Sequence, residues 1–371
     1  MKKLLSLAVA SSLVCGVAFA KEIKVGAIMP MSGPLAAYGQ VTNLGLELAN
    51  KMQPKLANGD TIKIVLLDNK GDKVETANAT TRLISSDGVV AILGALTSTN
   101  TAQAIAIADK KKVPVIASVA TNDKLTARRD FANRVCFTDS FQGEVVANYA
   151  KEQGYKTAVT VVDQAQVYSL GLSKAFQKAF KDNGGKILKK IMVTSGDKDF
   201  KAVVSQIKQL NPDFLFLPLY HPEASMIARQ SKQLGLDKPM FSGDGVANQT
   251  FIDLGGKAVE GYMFTDFFDS TNPPSKTSAD FVAFHEKETG NKEMNSFTAL
   301  GADTYNVLVA AMNRCDDPTN SVCVNNEIKK TKNFDGVSGL ITIDKSGNAS
   351  RSAVIKEIKD GKAGYKATVN P

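Results

Sequence analysis

The chain has 371 residues, 22% of them charged, with 45 Lys and Arg against 37 Asp and Glu and a formal charge of +8 at pH 7. Its lysines are scattered and not interleaved with aromatic residues, which argues against nucleic-acid binding and for a solvated basic surface. With only His221 and His285, no HExxH and no paired CxxC, the ordinary ligand sets of a metal centre cannot be assembled, and neither a GxxxxGKS/T phosphate loop nor a GxSxG nucleophile elbow occurs.

Residues 1–20 read as a cleaved export signal: Lys2 and Lys3 are the basic start, Leu4 to Val17 is apolar, and Ala18-Phe19-Ala20 is a small-x-small cleavage site. Cys15 offers a lipoprotein alternative, against which stands the bulky Val14 before it. Cleavage leaves 351 of the 371 residues and removes two lysines, so the charge becomes +6. That length exceeds what one compact core usually holds, so two lobes of roughly 150 to 200 residues are expected. No later segment has about twenty continuous apolar residues, and the expected product is an exported, soluble, periplasmic protein.

From Ile23 onward short apolar runs alternate with helix-period segments. Strands are predicted at Ile23–Met29, Ile62–Asp68, Val89–Leu93, Val113–Ser118, Ala158–Val162, Lys189–Val193, Phe214–Pro218 and Met240–Ser242. Helices are predicted at Leu44–Met52, Lys73–Ser86, Ala102–Asp109, Gln142–Gln153, Gly171–Lys181, Phe200–Leu210 and Glu223–Leu234. This alternation predicts an α/β protein with mainly parallel sheets and helices on both faces. It runs twice, over 23–138 and 157–265. Further on, helices are expected at Ser278–Thr289 and Phe297–Asn313, and "LITIDKSGNASRSAVIKEIKDGK" reads as a strand hairpin turning at "DKSGN". These last elements are too few for a third domain and are expected to complete the two lobes.

Polar clusters follow the strands, where open α/β sheets bind ligands. "LTSTNT" (96–101) could cap a helix, or its Ser98 and free N–H groups could receive an anion. "ASVAT" (117–121) offers a second donor loop in the same half. In the other half, Tyr220 and His221 end one strand, and Asp244 stands between Gly243 and Gly245 after the next. Asp244 is either an Asp-Gly turn residue or the partner of an ammonium, and Tyr220 either core or site wall. Anion donors on one lobe and a carboxylate on the other would suit a zwitterion, an α-amino acid. "SQIK" (205–208) matches SxxK but lies on the solvated face of a helical pattern, and no nucleophile has a base beside it, so no enzyme is expected. Cys315 and Cys323 flank the turn-rich "DDPTNSV" at a separation that allows a disulfide, and Cys136 reads as a buried thiol opening a strand-like "CFTDS".

The stretches "IKVGAIMPMSGPLAAYG" (23–39), "ALTSTNT" (95–101), "DSFQG" (139–143), "DQAQVYSLGL" (163–172), "LYHPEASMIARQ" (219–230), "SGDGVAN" (242–248) and "SGNAS" (346–350) together resemble the leucine/isoleucine/valine-binding family of periplasmic solute-binding proteins. The resemblance implies a two-lobed clamshell with three hinge crossings near Asp139, Phe267 and Ser350. One lobe would hold 21–139 and 268–350, the other 140–267 and 351–371. It implies an amino acid ligand, no cofactor, an ABC permease in the inner membrane as partner, and a monomer. Ser98 and the loop Val119 to Thr121 would hold the carboxylate and Asp244 the ammonium, with Tyr38, Tyr168 and Tyr220 lining the site. Three departures stand out. Asp244 replaces the family's common Glu, setting the charge roughly 1.3 Å farther back. The segment around Tyr168 is one residue longer than the pattern, and Ala302 stands near a position often held by a pocket aromatic. A different amino acid, a small amide or an aromatic acid are the alternative ligands, and a ligand-presenting sensory module is the alternative role.

Overall fold

The protein is described by a computed structural model covering residues 20–371; residues 1–19, with most of the expected export signal and Cys15, lie outside the described residues. β1 (Glu22–Met29), β2 (Thr61–Asp68), β3 (Ile92–Gly94), β4 (Val115–Ala117) and β5 (Ala132–Arg134) form one sheet in the order β2-β1-β3-β4-β5, with every neighbouring pair parallel. The helices α1 (Ala36–Met52), α2 (Lys73–Arg82) and α3 (Ser98–Ala108) connect the first four strands. Such crossovers cover both faces of a parallel sheet, so its inner strands are apolar throughout: every residue of β3 and β4 is buried.

The chain then passes to a second sheet. α4 (Asp139–Glu152) leads to β6 (Thr157–Asp163), followed by α5 (Val167–Asp182), β7 (Lys186–Val193), α6 (Lys201–Leu210), β8 (Phe214–Phe216), α7 (His221–Gln233), β9 (Met240–Ser242), α8 (Gln249–Gly255) and β10 (Met263–Asp266). These strands lie parallel in the order β7-β6-β8-β9-β10, which repeats the winding of the first sheet. On α7, Ala224, Ile227, Ala228 and Ser231 are buried and Arg229 and Lys232 exposed, as their spacing predicts. Ser205 and Lys208 of "SQIK" are exposed on α6.

The chain next returns to the first lobe with α9 (Lys276–Thr289), α10 (Ser296–Met312), α11 (Ser321–Ile328) and a small antiparallel sheet of β11 (Phe334–Gly336), β12 (Gly339–Ile343) and β13 (Ala349–Ser350). It crosses a last time into β14 (Ala353–Lys359) and β15 (Lys362–Val369), antiparallel strands that extend the second sheet beyond β10. The molecule is therefore two α/β lobes joined by three crossings. The second sheet ends in β7 on one side and β15 on the other. Cys315 and Cys323 are bonded, Cα to Cα 6.0 Å, and close the loop between α10 and α11.

Three expectations need correction. α3 starts at Ser98, not Ala102, because Thr97 caps it by accepting the Asn100 N–H at 3.2 Å. "CFTDS" is not a strand: β5 ends at Arg134, Cys136 to Thr138 lie in the first crossing, and Asp139 and Ser140 open α4. The expected hairpin is split. β12 and β13 do turn at Asp344–Asn348, but β14 pairs with β10 and β15 in the other lobe.

One buried arginine ties the crossings together. Arg351, just past β13, donates through Nη1 to Ser338 Oγ at 2.7 Å and Val135 O at 3.4 Å, and through Nη2 to Phe267 O and Ser338 O, both at 2.9 Å. Val135, Phe267 and Arg351 belong to the three different crossings. Asp303 of α10 holds Ser338 in place by accepting its N–H at 3.0 Å and its hydroxyl.

In the first lobe α1 and α10 pack with almost no gap. A Cβ on Gly45 would collide with Thr298 O, and one on Gly301 with Thr42 O. Backbone cannot yield as a flexible side chain can, so Gly45→Ala should cost about 1–3 kcal/mol. Scanning calorimetry should show the main transition lowered by about 5 °C; an unchanged transition would contradict this packing.

Candidate ligand-binding site

In both lobes the loops after the first, third and fourth strands of the winding converge. In the first lobe these are the segments following β1, β3 and β4, which carry Tyr38, Thr97 with Ser98, and Val119. In the second they follow β6, β8 and β9 and carry Tyr168, Tyr220 and Asp244. Parallel strands deliver all these loops to one edge, and the two edges face each other across a cleft. Of the residues expected to bind ligand, Tyr38, Ser98, Val119, Tyr168, Tyr220 and Asp244 line a single cavity, joined there by Leu96, Thr97, Gly245 and Phe297. Thr121 does not line it: its side chain is buried beside Asp139.

The first-lobe wall is built of hydrogen-bond donors. Ser98 opens α3, so its neighbourhood holds the unpaired N–H groups and positive end of a helix. Its Oγ accepts the Asn122 N–H at 3.3 Å, which pins the loop after β4 against α3. That loop turns its carbonyls away from the cleft: Ala120 O accepts from Arg134 and Cys136, Thr121 O from the Asp139 N–H, and Asn122 O from Arg134. A trans peptide sets each N–H opposite the preceding carbonyl: the Asn122 N–H meets Ser98 Oγ, and the Thr121 N–H, opposite Ala120 O, has no hydrogen-bond acceptor among the described residues. The Cys136 thiol behind this loop is buried and its pKa pushed up to about 12 by desolvation, which leaves it unreactive.

The second-lobe wall carries a carboxylate. Asp244 is buried, with Oδ1 accepting from Gln142 Nε2 at 2.9 Å and its N–H donating to Gln142 Oε1 at 2.7 Å. Thr265 Oγ1 donates to that same Oε1 at 2.6 Å and fixes the Gln142 amide. Burial raises the Asp244 pKa to about 7, while the Gln142 amide and Tyr168 hydroxyl act in the opposite direction. Both flanking glycines are required by space: a Cβ on Gly243 would collide with Gln142 Oε1, and one on Gly245 would lie 2.6 Å from Leu219 O.

Aromatic rings fill the middle. Tyr168 and Tyr220 stack with centroids 5.0 Å apart, and Tyr38 stacks on Phe297 at 5.6 Å. The longer segment before Tyr168 does not displace that ring from the cleft. The aromatic contributed by α10 is Phe297, at its first turn, whereas Ala302 is buried away from the cavity. Burial lowers the His221 pKa to about 4, so its imidazole is neutral at pH 7. Among the described residues no group of three His, Cys, Asp or Glu could hold a metal ion, and no helix is long and apolar enough to cross a membrane.

The cleft is shut. Its cavity measures about 10 Å3, room for about one water, so a larger ligand needs the lobes to part. A larger depression of about 650 Å3 lies at the amino ends of β9 and β10, far from the converging loops. Direct bonds hold the lobes together. Tyr38 Oη donates to Gly245 O at 2.5 Å and accepts the His221 N–H at 2.9 Å. Thr99 Oγ1 pairs with Gln166 Oε1 and the Val167 N–H at 2.9 and 3.0 Å, Asn122 Nδ2 donates to Val167 O at 3.0 Å, and Asn295 Nδ2 donates to Ala247 O at 2.9 Å.

Gln142 and Phe297 are absent from the expected site. Gln142 sits within "DSFQG", but its partner Asp244 lies 102 residues away, and only the fold brings them together. Phe297 follows the helix-capping Asn295, a signal that marks a helix start facing the cleft as in "LTSTNT". Tyr38→Phe would strand two buried partners, at about 1–3 kcal/mol each if the cleft stays shut. Small-angle scattering of both proteins at the same ligand concentration should therefore give the variant a larger radius of gyration than the parent; an equal radius would show that Tyr38 does not hold the lobes.

The profile of the periplasmic binding protein family matches residues 22–363. The Leu/Ile/Val-binding protein BraC3 of Rhizobium johnstonii is 30% identical over 352 residues, covering 91% of this chain and 93% of its own. The leucine-binding protein LivK of Thermotoga maritima superposes with a TM-score of 0.92 at 36% identity, covering 94% of this chain and 99% of that one. LivJ of Streptococcus pneumoniae, solved with isoleucine, gives 0.88 at 31% identity over 95% and 100% of the two chains. The chain belongs to the periplasmic binding protein family, in the group of its Leu/Ile/Val-binding members.

Proposed function

We propose that this solute-binding protein captures a branched-chain or other aliphatic amino acid in the cleft and delivers it to an ABC permease of the inner membrane. The observation that carries this reading is the polarity of the cleft: Ser98 at the start of α3, with Val119 of the loop after β4, on one lobe, and the buried carboxyl of Asp244, whose protein partners are neutral, on the other. A carboxylate ligand group meets the donors and an ammonium meets Asp244, so only the shut form engages both ends. Ligand then shifts the population toward closure, and the permease reads that closure. The lobes on this reading are 21–139 with 268–350 and 140–267 with 351–371, moving as a monomer in the periplasm after removal of residues 1–20.

Calorimetric titration of the mature protein with the twenty amino acids should give one tight aliphatic group. Binding of aromatic acids or amides alone would overturn the ligand assignment. Asp244→Asn keeps the shape and removes the charge, and should abolish amino acid binding while the melting profile is kept; retained affinity would place the ammonium elsewhere.

Affinity should also depend on pH. With its pKa raised to about 7 in the shut cleft, Asp244 carries a proton below that pH, and an ammonium must displace it. Affinity for leucine should therefore fall as pH drops through 7, by up to about tenfold per unit, and be flat just above. Titrations at pH 5.5 and pH 8 test this, and equal affinities would contradict it.

A further inference from the structure

Arg134, the last residue of β5, has the largest fully buried side chain among the described residues, and nothing in the binding scheme above uses its charge. An isolated buried cation is costly, so its neighbours matter. Its Nη1 donates to Ala120 O at 3.1 Å and its Nη2 to Asn122 O at 2.7 Å, while its buried Nε has no hydrogen-bond partner. Its bonds thus go to carbonyls and not to a carboxylate. Asp139 is the acidic group nearby, but burial holds that carboxyl well above its ordinary range, and Arg134 offsets this only in part. Among the described residues no carboxylate forms a hydrogen bond or ion pair with the guanidinium.

Both carbonyls that Arg134 holds flank Thr121, in the loop that faces Ser98. Drawing Ala120 O backward turns the Thr121 N–H forward, since the peptide is trans and planar. Holding Asn122 O fixes the far end of the same loop, whose N–H is bonded to Ser98 Oγ. One carbonyl, one C–N step and one hydrogen bond separate the guanidinium from a group bound at the Thr121 N–H, roughly 8 Å in all. Over that distance, inside protein, salt does little to screen the charge.

We propose that Arg134 is a positioning residue for the ligand's carboxylate: it aims the Thr121 peptide into the cleft and supplies, from behind the loop, the positive charge that the carboxylate balances. This rests on the amino acid reading above. Arg134 touches no ligand, and its contribution is specific to an anionic group at that end of the cleft.

The test compares leucine with leucinamide, which keeps the ammonium and side chain and loses the negative charge. Titrations of the mature protein should show leucine bound far more tightly. In Arg134→Met, leucine affinity should fall by about tenfold or more while leucinamide affinity stays within about twofold, so the preference shrinks. Arg134→Lys, which keeps the charge, should recover part of the preference and covers the case in which Arg134→Met does not fold. Equal weakening of both ligands would mean that Arg134 only supports the fold, and no weakening would mean that it is irrelevant; either result overturns the proposal. A parent protein that binds no amino acid would instead overturn the underlying reading, and this proposal with it.

Discussion

Two parallel sheets point their carboxyl ends at each other, and this constraint decides where chemistry can occur. Crossover connections between parallel strands bring the carboxyl ends of those strands out at one edge of each lobe. The loops leaving the first, third and fourth strands are then the ones that reach the cleft, in both lobes alike. On the far side the three crossings run side by side, and Arg351 fastens them through the carbonyls of Val135, Phe267 and Ser338. A guanidinium bonded mainly to carbonyls can swivel as backbone angles change, which suits a joint better than a rigid ion pair would.

The two walls of the cleft work by different physics. The first lobe presents Ser98 and a helix end, whose desolvation costs little compared with that of a full charge. The second relies on Asp244, which is costly to bury until a cation meets it, and which burial pushes toward the neutral form. The shut form is supported by the bonds of Tyr38, Thr99, Asn122 and Asn295, and it is opposed by the buried carboxyl. The equilibrium between shut and open forms rests on that opposition, and a ligand needs to add only the difference.

Much of this was legible in the sequence. Runs such as Ile23–Met29 and Met240–Ser242 mark strands because buried parallel strands must be apolar, and the polar clusters after them mark the cleft. β5 was not legible, since Ala132–Arg134 contains Asn133 and Arg134 and lacks an apolar run. Nor was the split of the last hairpin: alternation along 339–359 says that strands form, but not which sheet each one joins. The candidate site was readable where a residue sits in a loop after a strand, as Ser98 and Asp244 do. It was not where the residue lies on a helix and meets the site through a partner distant in sequence, as Gln142 does.

The edges of the second sheet explain part of the chain's basic character. β7 is an outer strand with Lys186, Lys189 and Lys190 exposed, and β15, at the other margin, exposes Lys362 and Lys366. An outer strand offers unpaired backbone groups to any similar strand that arrives, and lysines there make such an approach repulsive and force the partner to bury charge. Lys362 and Lys366 are paired with Glu293 and Glu357, so it is along β7 that two copies of the protein meeting edge to edge face like charges, which opposes their joining into a continuous sheet while leaving the cleft untouched.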